Sequence, residues 1–266
     1  MRLDDCQALI TGASAGIGRE FARQLAERAG TLVLVARRQQ RLEELRGELV
    51  ARHPGLRVEI HMTDLSQHAA VAELLEWIAV QNFALDLLIN NAGLGDLGSF
   101  ATADPVRIEQ MMEVNMVALT RLTRALLPGM IERKRGAILN VSSSASFLPI
   151  SNFAVYAATK AYVTSFSEAL RGELHGTGVH VSALCPGPVR TEFTEVARRR
   201  AGGPVAPEPE LAYVAVEQVV ADALHGIERN RPIVIPGVVM KIGMFIVRLT
   251  PLPLLRLSNR LFAKRG

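Results

Sequence analysis

The sequence predicts an α/β protein built on one doubly wound parallel sheet of about seven strands, with helices on both faces and a single domain. Short apolar runs alternate with helix-length segments along most of the chain, the pattern of repeated βαβ units. QALI, TLVLV, LDLLIN and GAILNV show little polar alternation, as strands covered on both faces do. Between the first run and the first helical stretch lies TGASAGIG, a glycine-rich turn of the kind that lets backbone approach a ligand.

At 266 residues, 49% hydrophobic and 21% charged, the chain is long enough for one large α/β domain with a well-buried core. Cys6 and Cys185 are too few for a disulfide framework and lack metal-ligand spacing. The six histidines form no HExxH-like cluster, so no metal site is expected. A reduced, cytoplasmic setting fits these cysteines. The first apolar strand begins around Gln7, which leaves no room for a signal peptide ahead of it. The net charge is +4, yet no acid follows Glu228, whereas Arg229, Arg231, Lys241, Arg248, Arg256, Arg260, Lys264 and Arg265 do. The first 228 residues thus carry 22 basic against 26 acidic side chains, a net −4, and give no footprint for nucleic acid.

Taken in order, QALI is a strand, TGASAGIG its turn, REFARQLAERAG a helix with Gly30 as its expected C-cap, and TLVLV the second strand. Gly12, Gly16 and Gly18 sit where a strand feeds a helix, whose free N–H groups and positive dipole end suit a pyrophosphate. A Rossmann-like dinucleotide site is therefore expected. The second strand ends in Ala36-Arg37-Arg38, with no carboxylate for a ribose 2′-hydroxyl and two guanidiniums for a 2′-phosphate. NADP(H) is the expected cofactor, with NAD(H) as the alternative. LRVEIHM is the third strand, and Asp64 and Ser66 are cap residues for the helix after it. LDLLIN, the fourth strand, runs into Asn90-Asn91-Ala92-Gly93. Asp104-Pro105 opens a long helix carrying Asn115, a polar residue in an apolar stretch that must find partners.

GAILNVSSS is the fifth strand, and NFAVYAATKAYVTSFSEALRGE after it reads as a helix with Tyr156 and Lys160 one turn apart. An ammonium beside a phenol lowers its pKa by roughly 1–3 units, which would fit Tyr156 for general acid/base work. GVHVSALCPGPVRT and RPIVIP supply the last strands.

The GxxxGxG spacing, NNAG, and a Tyr-x3-Lys helix thirteen residues after Ser143 together resemble the short-chain dehydrogenase/reductase family over residues 7 to about 192. The resemblance implies a catalytic set of Asn115, Ser143, Tyr156 and Lys160, with Ser144 as second choice for the serine. In the family's order of roles, Ser143 holds the carbonyl oxygen and Tyr156 passes the proton. Lys160 tunes Tyr156 and binds ribose, and Asn115 kinks its helix and anchors a proton-relaying water. The implied cofactor contacts are Gly12, Ser14, Gly16, Ile17 and Gly18 on the turn and Arg37 and Arg38 at the 2′-phosphate. Asp64 and Leu65 fall at the adenine, Asn91, Ala92 and Gly93 on the next loop, and Tyr156 and Lys160 at the ribose. Pro186, Gly187, Val189 and Thr191 border the nicotinamide, and Asn90 lines the cofactor while steadying the sheet. Ala15 departs from the basic residue that many NADP-using relatives carry there.

Residues 1–236 are read as the catalytic domain, with a mobile substrate lid at about 192–211, and 237–266 as an apolar, basic extension. Leu94, Phe147, Leu148, Phe153 and Phe193 lie near catalytic positions in sequence and suggest an apolar pocket. The expected activity is an NADP-preferring interconversion of a carbonyl and a secondary alcohol. A 3-oxoacyl-thioester reductase is the alternative enzyme, and a cofactor-binding sensor or scaffold the alternative of another class. The family's usual contacts at 106–133 and 152–173 imply a homodimer or homotetramer. The tail is too interrupted to span a membrane; it is read as packing on a neighbouring subunit, with peripheral membrane contact as the alternative.

Overall fold

Seven apolar runs become the seven strands of one parallel sheet: β1 (Gln7–Thr11), β2 (Thr31–Ala36), β3 (Arg57–Met62), β4 (Leu87–Asn90), β5 (Gly136–Val141), β6 (Val179–Leu184) and β7 (Ile233–Val234). Their order is β3-β2-β1-β4-β5-β6-β7. The computed structural model describes residues 2–198, 210, 213–251 and 253–256. Between and after the strands run α1 (Gly16–Leu25), α2 (Gln39–Arg52), α3 (His68–Val80), α4 (Pro105–Met112), α5 (Leu119–Glu132), α6 (Ala154–Glu173), α7 (Glu192–Ala197), α8 (Val216–Glu228) and α9 (Val238–Leu249).

Successive strand side chains point to opposite faces, and the two resulting cores follow that rule. Ala8, Ile10, Leu32 and Leu34 join Phe21, Leu42 and Val220 from α1, α2 and α8 in one cluster. Leu9, Val33 and Val35 join Leu74, Leu122 and Leu170 from α3, α5 and α6 in the other. Strand order reverses between β1 and β4, and open α/β sheets bind ligands at the carboxyl ends of strands flanking such a point. Thr11 ends β1 and Asn90 ends β4, so both nominate the same edge.

Three local expectations change. Helix α1 stops at Leu25, and Gly30 instead donates its N–H to Cys6 O (3.1 Å), so it starts the approach to β2 and caps nothing. The Asp64 carboxylate accepts from Ser66 N (3.0 Å) and Ser66 Oγ (2.8 Å), closing a turn ahead of α3, whose N-cap is Gln67. Asp104 does cap α4 through Val106 N (3.0 Å), with Pro105 in the first turn. The helix expected to run on from there widens into a π-helical segment, Glu113–Ala118, before α5. Asn115 lies inside it, and such segments place side chains off the regular helical face. Helix α9 carries Lys241 and Arg248 and ends at Leu249, just before Pro251, too short and too interrupted by charge to cross a membrane.

Candidate active site

The glycine turn is locked from below by Thr11. Its hydroxyl donates to Ile89 O (3.3 Å) and accepts from Asn91 N and Ala92 N (both 3.0 Å), tying the ends of β1 and β4 together. Asn91 adds a bond from Nδ2 to Thr11 O (2.9 Å). Gly12 has φ +68°, and a Cβ there would come within 2.8 Å of Asn91 Nδ2; one at Gly18 would come within 2.4 Å of Gly12 O. Both positions therefore require glycine. Ile17 packs on the first cluster. Helix α1 has no side-chain cap and no acid in its first turn, which leaves its N-terminal N–H groups and dipole to an anion.

At the end of β2, Arg38 donates to Ser14 Oγ through Nε (3.2 Å) and a terminal nitrogen (3.1 Å). Its other terminal nitrogen binds Glu192 (2.8 Å), and Arg41 binds the second oxygen of the same carboxylate (2.5 Å). The sequence reading pairs Arg37 with Arg38; in the structure Arg38 and Arg41 grip Glu192, and Arg37 is exposed beside them. A carboxylate held between two guanidiniums shows that this place accepts an anion, and a 2′-phosphate fits it by chemistry and position. The two arginines hold the Glu192 carboxyl below the usual range. Neither Arg41 nor Glu192 was nominated from sequence. Arg41 lies one helical turn beyond Arg38, a signal that was there to be read.

Asp64 remains at the mouth of the β3 edge, whereas Leu65 buries its side chain in the second cluster. Asn90 turns inward, donating to Thr123 Oγ1 (3.1 Å) and Asn140 Oδ1 (2.9 Å), while Asn140 donates to Ser167 Oγ (2.9 Å). These bonds steady the sheet, and Asn90 is almost fully buried. Ala92 packs against the second cluster. Along the loop after β6, Pro186 O accepts from Ser144 N (2.9 Å) and Val189 packs on the first cluster. Gly187 lies under Met240, and Thr191 accepts from Phe193 N (3.4 Å) to cap α7. The methyl of Thr191 would lie 3.2 Å from a Cβ on Gly16, so that loop borders the glycine turn.

Tyr156 is 7% exposed, stacked on Phe153 (centroids 4.1 Å apart) and tilted against Phe193 (5.5 Å). Burial pushes its phenol up to about 12, and a hydrogen bond from Ser143 opposes that rise. Lys160, fully enclosed, is pushed down to about 8 by the same loss of solvent. Without cofactor, burial sets the direction at Tyr156, against the depression expected from Lys160. The ammonium donates to Val141 O (2.8 Å) and sits 5.7 Å from the Tyr156 ring centre. At neutral pH Tyr156 is a neutral phenol, the form that donates a proton. Ser143 is extended at the end of β5 and accepts from Ala145 N (3.1 Å). Ser142 is structural, bonded to Lys160 O (2.9 Å) and Thr164 Oγ1 (2.7 Å).

Asn115 uses its π-helical position as a clamp. Oδ1 accepts from Leu94 N (2.8 Å), and Nδ2 donates to Leu94 O (3.0 Å) and Thr159 Oγ1 (3.0 Å). It holds the loop after β4 to α6 and does not bond Lys160 directly. A Cβ on Gly93 would lie 3.4 Å from Lys160 Nζ and 3.5 Å from Asn115 Oδ1. The bare face of Gly93 is thus what separates the two side chains.

Leu94, Phe153 and Phe193 do gather around Tyr156, together with Met111, Ile150 and Val155. Phe147 departs from that group and lies under Arg248 (5.7 Å), and Leu148 is not part of it. Phe193 reaches the phenol because α7 docks on the β4 loop: Leu97 N donates to Ala197 O (2.8 Å), and Arg107 bonds Val196 O. Gly95 leaves room for the ring, since a Cβ would stand 2.8 Å from Phe193 Cζ. Of the lid expected at about 192–211, residues 199–209 and 211 lie outside the described residues.

A family model for short chain dehydrogenases matches residues 7–202. The NADP-dependent 3-hydroxy acid dehydrogenase YdfG of Escherichia coli K12 is 40% identical over 190 residues, 71% of this chain and 75% of that protein. A short-chain dehydrogenase from Sphingobium yanoikuyae in complex with NADPH superposes with a TM-score of 0.79 at 37% identity, covering 88% of each chain. The bulky-bulky ketone specific alcohol dehydrogenase of Comamonas testosteroni gives 0.76 at 29% identity, covering 93% of this chain and 95% of that one. The chain belongs to the short-chain dehydrogenase/reductase family and is an NADP(H)-dependent oxidoreductase acting on the CH–OH/C=O couple.

Proposed function

We propose that the protein interconverts an apolar ketone and its secondary alcohol, with Tyr156 as the proton donor and acceptor. The observation that carries this reading is the Ser143 hydroxyl bonded to a neutral, buried Tyr156 phenol beside Lys160. Bound NADPH supplies the hydride. Ser143 holds the carbonyl oxygen as negative charge develops on it, an oxyanion-type contribution. Tyr156 then gives that oxygen its proton. Lys160 stabilises the phenolate left behind, whose charge offsets the desolvation that lowers the ammonium in its absence. The proton returns past Gly93 through water held at Asn115, using the gap beside Lys160.

In the same reading, Gly12, Ser14, Gly16, Ile17 and Gly18 hold the pyrophosphate, and Arg38 and Arg41 the 2′-phosphate. Asp64 and the Leu65 backbone border the adenine, and Asn91, Ala92 and Gly93 form the floor. Tyr156 and Lys160 face the ribose, with Pro186, Gly187, Val189 and Thr191 around the nicotinamide. Helix α7 is the start of a lid, and Phe193 is the residue it places over the substrate.

The apolar wall of Leu94, Ile150, Phe153 and Phe193 supports a ketone over a charged substrate. Arg107, the cation on that side, is engaged by the buried Asp96 carboxylate (3.1 Å) and Gly95 O (3.0 Å). The substrate named for the E. coli relative, a 3-hydroxy acid, is the second reading. A bulky aryl ketone with NADPH, run beside a 3-hydroxy acid with NADP⁺, separates them: the ketone turns over faster here, and the reverse order refutes the apolar assignment. A homodimer or homotetramer through α5 and α6 is consistent with the small outward residues Ala158, Ala161, Ser165 and Ala169 beside Tyr162, which let helices approach closely. A monomer in sedimentation velocity would contradict that assembly.

A further inference from the structure

Helix α9 buries little of itself. Met244 points inward, and Met240 lies over Gly187, where a Cβ would stand 2.9 Å from its Sδ. On the opposite side Val238, Val239, Ile242, Phe245, Ile246 and Leu249 are each more than half exposed. With 3.6 residues per turn these six fall in one arc of about 120°. Lys241 and Arg248, both exposed, stand along one rim of that arc. The helix is therefore apolar toward solvent and basic at the edge of its apolar stripe, an arrangement that water alone does not favour.

We propose that this face lies on an anionic lipid bilayer, with the stripe in the headgroup–acyl boundary and Lys241 and Arg248 on the lipid phosphates. No helix among the described residues is long and apolar enough to cross a membrane, so the contact is made in the plane of the interface. Charge selects the partner. Every ionisable side chain after Glu228 is basic, and Leu257, Leu261 and Phe262 continue the mixture of apolar and basic residues in sequence. A two-fold contact between copies sets a patch against itself. It would bring Lys241 and Arg248 toward their own duplicates with no acid on α9 itself to offset them, Asp222 of α8 and Glu168 of α6 lining the clefts beside them. Subunit packing, expected from the sequence, is thereby disfavoured at this surface. Because the preceding residues carry a net −4, attraction to an anionic surface is confined to the tail and orients the molecule. The inner side of α9 rests on Gly187 through Met240 and on the Ser144–Phe147 turn that follows Ser143, so docking brings the Tyr156 region beside the lipid. The inference does not depend on which substrate is reduced.

The test is flotation of the full chain with vesicles of phosphatidylcholine alone and of phosphatidylcholine mixed with phosphatidylglycerol, run beside sedimentation velocity without lipid. The protein is expected to float with the mixed vesicles, to be released by high salt, and to stay behind with phosphatidylcholine alone. Each basic side chain near such a surface contributes about a fivefold factor, so Lys241→Glu should weaken binding by about 25-fold. The double change Ile242→Glu with Phe245→Glu should abolish flotation while NADPH binding by calorimetry is retained, which shows the fold intact. Failure of the wild type to float on mixed vesicles overturns the proposal, as does unchanged flotation of the double variant. A smaller sedimenting species in the double variant overturns it too, since the face would then be a contact between copies.

Discussion

Replacing Glu192 by Gln should tighten NADPH binding and leave NADH binding unchanged. In the structure the Glu192 carboxylate occupies both guanidiniums proposed above for the 2′-phosphate, Arg38 at 2.8 Å and Arg41 at 2.5 Å. A 2′-phosphate must displace it, and the loss is charged against the cofactor. All three side chains are 39–45% exposed, so each pair contributes only the few tenths to about 1 kcal/mol of screened surface pairs. Two such pairs amount to roughly 0.5–2 kcal/mol, or about 2- to 30-fold in NADPH affinity. NADH carries no 2′-phosphate and does not compete for the site. Raising salt should shrink the difference, because the charges lie within reach of counterions. Calorimetric titration of both cofactors into both proteins measures this directly. Equal tightening for NADH and NADPH would refute the competition, and so would no change for either. Glu192 is also the first residue of α7, one position before the Phe193 that packs on Tyr156.

Gly93→Ala should fold, since the added methyl meets its neighbours at ordinary contact distance. It fills the space between Asn115 and Lys160, so turnover should fall while NADPH binding holds; unchanged turnover would remove the proton path from the account. Gly18→Ala should lose both stability and cofactor binding, because its Cβ would overlap Gly12 O at 2.4 Å, and unperturbed melting would contradict the packing described. Lys160 gives a pH signature. Its folded pKa of about 8 lies below its ordinary 10.5, so between those values the unfolded chain binds more protons and stability rises with pH. Below pH 8 this cofactor-free destabilisation is fully present, on the order of 3 kcal/mol at most. Thermal melts from pH 7.5 to 9.5 should therefore rise in the wild type and stay flatter in Lys160→Met; parallel curves would refute the assignment.

The central strands were legible because strands buried on both faces must be apolar throughout, whereas the edge strand β3, with Arg57, Glu59 and His61, carries that signal only in part. The glycine turn was legible for a similar reason: Gly12 and Gly18 are fixed by contacts that tolerate no side chain. Asn115 was noticed as a lone amide in an apolar stretch, but its grip on Leu94 and Thr159 needed the folded loop. The Tyr156–Lys160 spacing was visible on the helix, whereas their pKa shifts came from burial, which depends on Phe153 and Phe193 closing over the ring. Arg41 and Glu192 stand 151 residues apart, and no local pattern announces such a pair. The α9 residues read as an apolar segment for the same reason that their exposure could not be read: composition does not say which side of a helix meets water.

The central claim is that Tyr156 passes the proton and contributes little to holding the cofactor. The most direct measurement is Tyr156→Phe assayed for ketone-dependent NADPH oxidation and, on the same preparation, for NADPH affinity. Turnover should fall by about 10²- to 10⁴-fold, the range of a lost general acid, with NADPH affinity retained. Turnover near the wild-type rate, or a loss matched by equal loss of NADPH binding, would contradict the account.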